Sequence, residues 1–315
     1  MLSRVAENLY WMTRYMERAE DTARLINAVT LMALDIPGEA RFGWDSLLKV
    51  AGLDHLFFQH YDKADETAVM RFLIHDERNP SSIMTSISLA RENTRTFREV
   101  LPWECWEWIN ELYLYGKGNL VRDLDRRHRY DVLQSVIRRR QSIVGLLSGT
   151  MSRDAAFQFL RLGRNIERAD MTSRILDVSY AVLLPAGSPA AEQYGDLLWM
   201  NILKALSAYQ MYRRNVSVHA NSAKVIEFVL KDCAFPRTVA HCLNEIAEVL
   251  HSMPHHKEVL ASVNEVRELL QRTDSQSLAV AGLHELTDEI QMGLMHIDAG
   301  LREHYFRAAN TEIAA

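Results

Sequence analysis

Arginine and carboxylate side chains recur in one spacing on two stretches of the chain. Arg14-Tyr-Met-Glu-Arg-Ala-Glu-Asp-Thr-Ala-Arg24 is echoed 150 residues later by Arg164-Asn-Ile-Glu-Arg-Ala-Asp-Met-Thr-Ser-Arg174. The echo pairs Arg14 with Arg164, Glu17 with Glu167, Arg18 with Arg168 and Arg24 with Arg174, while Glu20 becomes Asp170. Such groups can pair with one another in a structural network. They can also hold an external carboxylate or phosphate in guanidinium forks, or set the ionisation of a glutamate that acts as general base. The ligand-binding candidates are therefore Arg14, Arg18, Glu20, Arg24, Arg164, Arg168, Asp170 and Arg174, and the catalytic candidates are Glu17 and Glu167. With Asp21 included, five acids face six arginines. That near balance suits a network, and the small cationic surplus suits an anionic small molecule or peptide. No Glu-x-x-His occurs at these positions, so a divalent-metal site is disfavoured.

To act together these residues need helices that place them on one face. At 100° per residue, Leu9, Met12, Met16, Ala19, Ala23 and Ile26 fall on a core stripe, matched by Phe159, Leu162, Ile166, Ala169, Ser173 and Leu176. Arg14, Glu17, Glu20 and Arg24 line a second face, where Arg14–Glu17 and Glu20–Arg24 pairs within the helix are expected. Tyr10, Leu25, Leu160 and Ile175 put apolar groups on or beside that face, as expected if it is enclosed. Enclosed charges must be paired or must bind something.

The remaining chain reads as all-α. Thirteen glycines and seven prolines in 315 residues leave long stretches of strong helix formers. Helices are expected over 3–34, ending before Pro37-Gly38, and over 44–61 and 66–75. Another starts at Asn79-Pro80 with Asn79 as its cap, and more follow over 103–115 and 120–147, separated by a loop at Gly116-Lys-Gly118. The echo extends beyond the Glu-Arg stretch. Trp44 and Lys49 align with Trp199 and Lys204 at an offset of 155, the extra residues fitting a loop at 185–189; Asp76 and Pro80 align with Asp232 and Pro236 at an offset of 156. Closing helices are expected over 259–272 and 278–306. The expectation is a pseudo-twofold helical bundle of two related halves, 1–148 and 149–315, intertwined as a single domain over 1–315, with the two Glu-Arg helices meeting near the axis.

Composition narrows the function. Thirty-six basic against 41 acidic residues give a net charge of −5, without the basic field that holds nucleic acid. No apolar run is long enough for a membrane span, and the charged start of the chain does not read as a signal peptide. Cys105, Cys233 and Cys242 suggest neither a disulfide framework nor a zinc ribbon, which fits a reducing cytoplasm. No phosphate loop, nucleophile elbow or zinc-protease motif is present, and no cofactor is expected. Secondary candidates are Arg91, Glu92 and Asn93, and the aromatic set around Trp106 and Glu107. Arg126–Arg129 and Arg138–Arg140 read as a solvated basic face that would serve to dock an acidic partner, and His251, His255 and His256 as surface histidines of a turn.

Taken together, Tyr15-Met-Glu-Arg-Ala-Glu20, Arg91-Glu92-Asn93, Trp106-Glu107, Ile166-Glu-Arg-Ala-Asp170 and Phe235-Pro-Arg-Thr-Val239, which contains Arg237, resemble the bacterial alpha-E family over essentially the whole chain. In the first half Asn79-Pro-Ser-Ser stands where the second has Phe-Pro-Arg-Thr. The resemblance implies an all-helical domain whose genes accompany circularly permuted ATP-grasp ligases and transglutaminase-like proteins. A shared pathway of ATP-dependent amide-bond formation or peptide modification follows from it, with the ligase as partner. Three roles are then open: binding an anionic intermediate for the ligase, catalysis through Glu17 or Glu167, and structural docking of the ligase.

Overall fold

A helix of 33 residues without glycine or proline sets the frame of the molecule. The structure, a computed structural model, describes residues 3–35, 43–121, 125–181, 189–279 and 281–306. Its elements are α1 (Ser3–Asp35), α2 (Asp45–Ala51), α3 (Asp54–Phe58), α4 (Glu66–Ile74), α5 (Ile83–Thr96), α6 (Trp103–Asn119) and α7 (Arg126–Thr150), followed by α8 (Ala155–Ala181), α9 (Pro189–Ala205) and α10 (Tyr209–Asn215). The chain continues through α11 (Ser222–Lys231), α12 (Val239–His251), α13 (Lys257–Arg272), α14 (Ser275–Leu278) and α15 (Leu283–Leu301), which runs into a π turn over Arg302–Phe306. Among the described residues there is no strand. At about 1.5 Å per residue α1 spans roughly 50 Å, and its stripe Leu9, Met12, Met16, Ala19, Ala23 and Ile26 is at most 3% exposed.

The two Glu-Arg helices meet. α8 lies directly against α1; α5, α7 and α9 also pack on α1, while α12, α15 and α2 pack on α8. Glycine inside a helix costs about 1 kcal/mol relative to alanine, and Gly163 has a packing reason to be there. A Cβ added at Gly163 would stand 2.2 Å from the Tyr10 carbonyl oxygen and 2.5 Å from Thr13 Oγ1. The helices cross at that point with their backbones nearly touching. Buried side chains from residues 5 to 306 then join one continuous core.

Several local equivalences accompany the echo. Gly52 and Ser207, matched at the 155 offset, end α2 and α9 with φ of 64° and 54°. Ser82 and Thr238, matched at 156, cap α5 and α12 by accepting from the amides of Thr85 and His241.

Elsewhere the structure corrects the sequence reading. The helix expected over 44–61 is two short ones, because Gly52 takes a left-handed conformation and stops α2. Asn79 does not cap α5. It is buried, donates to the Phe72 carbonyl at 2.9 Å and receives the Ser81 amide at 2.9 Å, holding the turn before Ser82. The loop expected at Gly116-Lys-Gly118 is the last turn of α6, where Gly116 lies against Met84 closely enough that an added Cβ would sit 3.0 Å from its sulfur. The division at Ser148-Gly149 falls inside α7, which runs on to Thr150. Pro37-Gly38 and most of the loop at 185–189 lie outside the described residues. His255 sits in a turn with φ of 56°, and His251 and His255 are exposed as expected.

Candidate functional site

At the crossing, each helix supplies a glutamate to the other helix's arginine. Arg168 donates from Nε to Glu17 Oε1 at 2.7 Å and from Nη2 to Oε2 at 3.1 Å. Arg18 does the same to Glu167, at 2.5 and 3.1 Å. These are side-on forks, the geometry that makes arginine–carboxylate pairs strong and directional. The Glu20–Arg24 and Asp170–Arg174 pairs form within their helices as expected. The expected Arg14–Glu17 pair does not form. Arg14 reaches across to Glu167 at 2.7 Å and to Asp298 of α15 at 2.7 Å, because Glu17 is turned to the side where other arginines converge.

Two of those arginines come from other elements. Arg140 of α7 pairs with both Glu17 and Glu20, lying 2.6 Å from Glu20 Oε2. Arg237, just before α12, donates to Asp21 at 2.5 Å and to Glu20 at 2.7 Å, and stands 3.3 Å from Glu17. Arg237 was legible only through the family resemblance. Arg140 overturns the reading of a solvated basic face: it is 3% exposed, and Arg129 of the same helix is buried against Glu66. The missed signal was spacing, since Arg140 lies seven residues from both Leu133 and Leu147 on the face α7 turns inward. Asp298, also missed, accepts from Tyr10 Oη at 2.5 Å and from Arg14.

The charges are buried and strongly perturbed. Glu17 and Glu20 are 0% exposed. Burial opposes the ionisation of Glu17, but Arg140, Arg168 and Arg237 overcome it and hold the carboxyl far below the usual range. For Glu167, burial is likewise overcome, by Arg18 and Arg14, and the carboxyl is held near 2. Carboxylates this acidic accept protons poorly, so both are ill suited to general-base catalysis near neutral pH. Asp21 behaves differently: burial, with Glu17 and Glu20 nearby, pushes it up to about 6 despite its bond to Arg237.

Arg164 is the exception in this network. Among the described residues it has no hydrogen bond or ion pair, and its Nε is buried without an acceptor. Burial, then the charges of Arg168 and Arg140, lower it to about 10, so it remains protonated at neutral pH. It lines a narrow cavity of about 20 Å³ with Arg140, Ser148 and apolar side chains including Met12, Leu147 and Phe157. That space accommodates a water or the tip of a carboxylate. Neighbouring Arg161 is answered separately by Glu245 and Glu248.

The secondary candidates form a different cluster on α5 and α6. Arg91 donates to Asn110 at 2.8 Å and to Glu92 at 2.7 Å, and its guanidinium lies over the rings of Trp106 and Tyr113. Asn93 reaches the Asn8 carbonyl at 3.4 Å, and Glu107 is exposed. Among the described residues none of their hydrogen bonds reaches the Glu17 or Glu167 groups. No group of three His, Cys, Asp or Glu among the described residues is arranged to hold a metal ion, and no described helix is long and apolar enough to cross a membrane.

Comparison with known proteins identifies a family. Residues 1–306 match Alpha-E, described as a predicted alpha-helical domain with a conserved ER motif, and the chain belongs to that family. Uncharacterised proteins of Mycobacterium bovis and Mycobacterium tuberculosis are 26% identical over 332 aligned positions, covering 95% of this chain and 36% of theirs. The chain thus spans about a third of the length of these relatives. No solved structure matches it.

Proposed function

We propose that this Alpha-E chain is a cytoplasmic helical component of an ATP-grasp-associated system that forms amide bonds or modifies peptides. In this reading it folds as one domain and holds an anionic peptide or amino-acid intermediate at the crossing of its Glu-Arg helices. A circularly permuted ATP-grasp ligase supplies the chemistry, with a transglutaminase-like protein in the same pathway. The supporting observation is Arg164, a half-buried arginine whose Nε is buried without an acceptor, beside a network whose other arginines are engaged. A guanidinium N–H buried without an acceptor is costly, and an incoming carboxylate or phosphate oxygen supplies that acceptor. The narrow cavity admits the acidic tip, and the rest of the ligand would lie outside it.

Because Arg14, Arg18 and Arg168 hold glutamates, replacing them tests stability as much as binding. Arg164→Gln breaks no ion pair and is the cleaner variant. Calorimetric titration with a glutamate-terminated tripeptide is expected to show binding that weakens about tenfold in Arg164→Gln, at an unchanged melting temperature. Equal affinity of the two proteins, or no binding to either, overturns the reading. The partnership is tested by reconstituting the ligase with and without this chain, where product formation independent of the chain counts against it.

A further inference from the structure

We propose that the cavity between α1, α7 and α9 is a second site, which binds a small molecule carrying a carboxylate or phosphate. The cavity measures about 230 Å³, and its polar lining is Arg24, Asn27, Tyr130, Gln134, Asn201 and Lys204. Asn27 and Asn201 are 5% and 2% exposed, and the amide nitrogen of each is buried without an acceptor. Orphaned buried donors are rare in folded proteins, because nothing repays their lost hydration. Asn27 on α1 and Asn201 on α9 bring two such amides to the cavity from different sides. A half-turn of each amide exchanges its oxygen and nitrogen within the same envelope; the nitrogen, which has no acceptor where it lies, then faces the cavity and can donate to a bound oxygen, with the carbonyl oxygen taking the buried place.

The charge of the cavity selects an anion. No carboxylate lines it among the described residues, while Arg24 and Lys204 do. Lys204 is instructive beside its equivalent, Lys49. Lys49 is neutralised by Asp45, four residues earlier, at 2.9 Å. Four residues before Lys204 stands Met200, and the contact of Lys204 among the described residues is the Tyr209 ring at 5.9 Å. Arg24 donates to Glu20, but Glu20 is shared with Arg140 and Arg237, so the positive charge of Arg24 is only partly cancelled. Ile137 and Ala28 give the cavity an apolar portion suited to a short aliphatic stem. The occupant is of about amino-acid size, with its acidic group between Arg24, Lys204 and the asparagine amides.

The site is independent of Arg164, so titrations are made on the full chain carrying Arg164→Gln, which weakens binding at the crossing about tenfold. Inorganic phosphate and L-glutamate are the probes, each against sodium chloride of matched ionic strength. At least one is expected to bind, and Asn201→Leu and Lys204→Met are expected to weaken it about tenfold or more. A response to phosphate alone identifies a phosphate ligand, and a response to glutamate alone a carboxylate. If Asn201→Leu does not fold, the exposed Lys204→Met carries the test. Binding of neither probe beyond chloride, or full affinity in Lys204→Met, overturns the proposal.

Discussion

The Glu17 and Glu167 arms of the crossing start from the same sequence pattern and end in different electrostatic states. Around Glu167, three acids (Glu167, Asp170 and Asp298) face three arginines (Arg14, Arg18 and Arg174). Around Glu17, three acids (Glu17, Glu20 and Asp21) face five arginines (Arg24, Arg140, Arg164, Arg168 and Arg237). The helices themselves do not create the difference. α7 lays Arg140 over Glu17, whereas α15 lays Asp298 over Arg14, and Arg237 stands at the position matched by Ser81 in the first half. The duplicated pattern sets the reciprocal pairs, and the surrounding elements decide which arm is left cationic. The excess falls where Arg164 has no partner.

The largest expected effect breaks that comparison at its centre. Glu17→Ala leaves Arg140, Arg168 and Arg237 facing one another in the interior and should destabilise the fold by about 3–5 kcal/mol. Glu167→Ala should cost less, about 1–3 kcal/mol, because Arg14 and Arg18 are 12% and 20% exposed and can turn to water. Urea midpoints at constant slope measure both, and equal losses would mean the arms do not differ as described. Next in size is Gly163→Ala, whose methyl meets a backbone carbonyl that cannot swing aside. A loss of about 1–3 kcal/mol is expected, with both arms weakened together.

Acid sharpens the same contrast. Folded Asp21, raised to about 6, takes up a proton before the unfolded chain does, so its contribution to stability grows as pH falls from about 6 toward the ordinary aspartate value near 3.9. Glu17 and Glu167 act in the opposite sense. Their folded values lie below the unfolded one, so their stabilisation is complete above about 4.3 and is lost as pH falls toward the folded values. Melting temperature against pH should therefore rise slightly from 6.5 to about 4.5 and then drop, and Asp21→Asn should abolish the rise while leaving the drop. The smallest effect belongs to Arg164→Gln. It breaks no pair, so stability should change by no more than about 0.5 kcal/mol.

Much of this arrangement is legible in the sequence. The all-α class, the extent of α1, its core stripe and the enclosure of its charged face follow from 3.6-residue periodicity and from apolar groups such as Tyr10 beside the charges. Contact of the two helices followed from the echo. What escaped depends on tertiary packing. Arg140 sits in a run of three arginines that looks solvated, and only its seven-residue spacing from leucines hints that the middle of α7 faces inward. Asp298 stands on an amphipathic helix with nothing local to mark it. The glycines of α6 resemble a loop until Met84 is seen against Gly116, and the orphaned amides of Asn27 and Asn201 exist only once three helices enclose them.

The central claim is that the cationic excess of the Glu17 arm is exposed to an external anion at Arg164. Crystals grown with bromide in place of chloride test it most directly, since bromide scatters anomalously and needs no knowledge of the natural ligand. The account predicts an anomalous peak against the Arg164 guanidinium, absent from Arg164→Gln, and none at Arg14 or Arg18. A crossing without bromide at Arg164, or with bromide on the Glu167 arm, would contradict it.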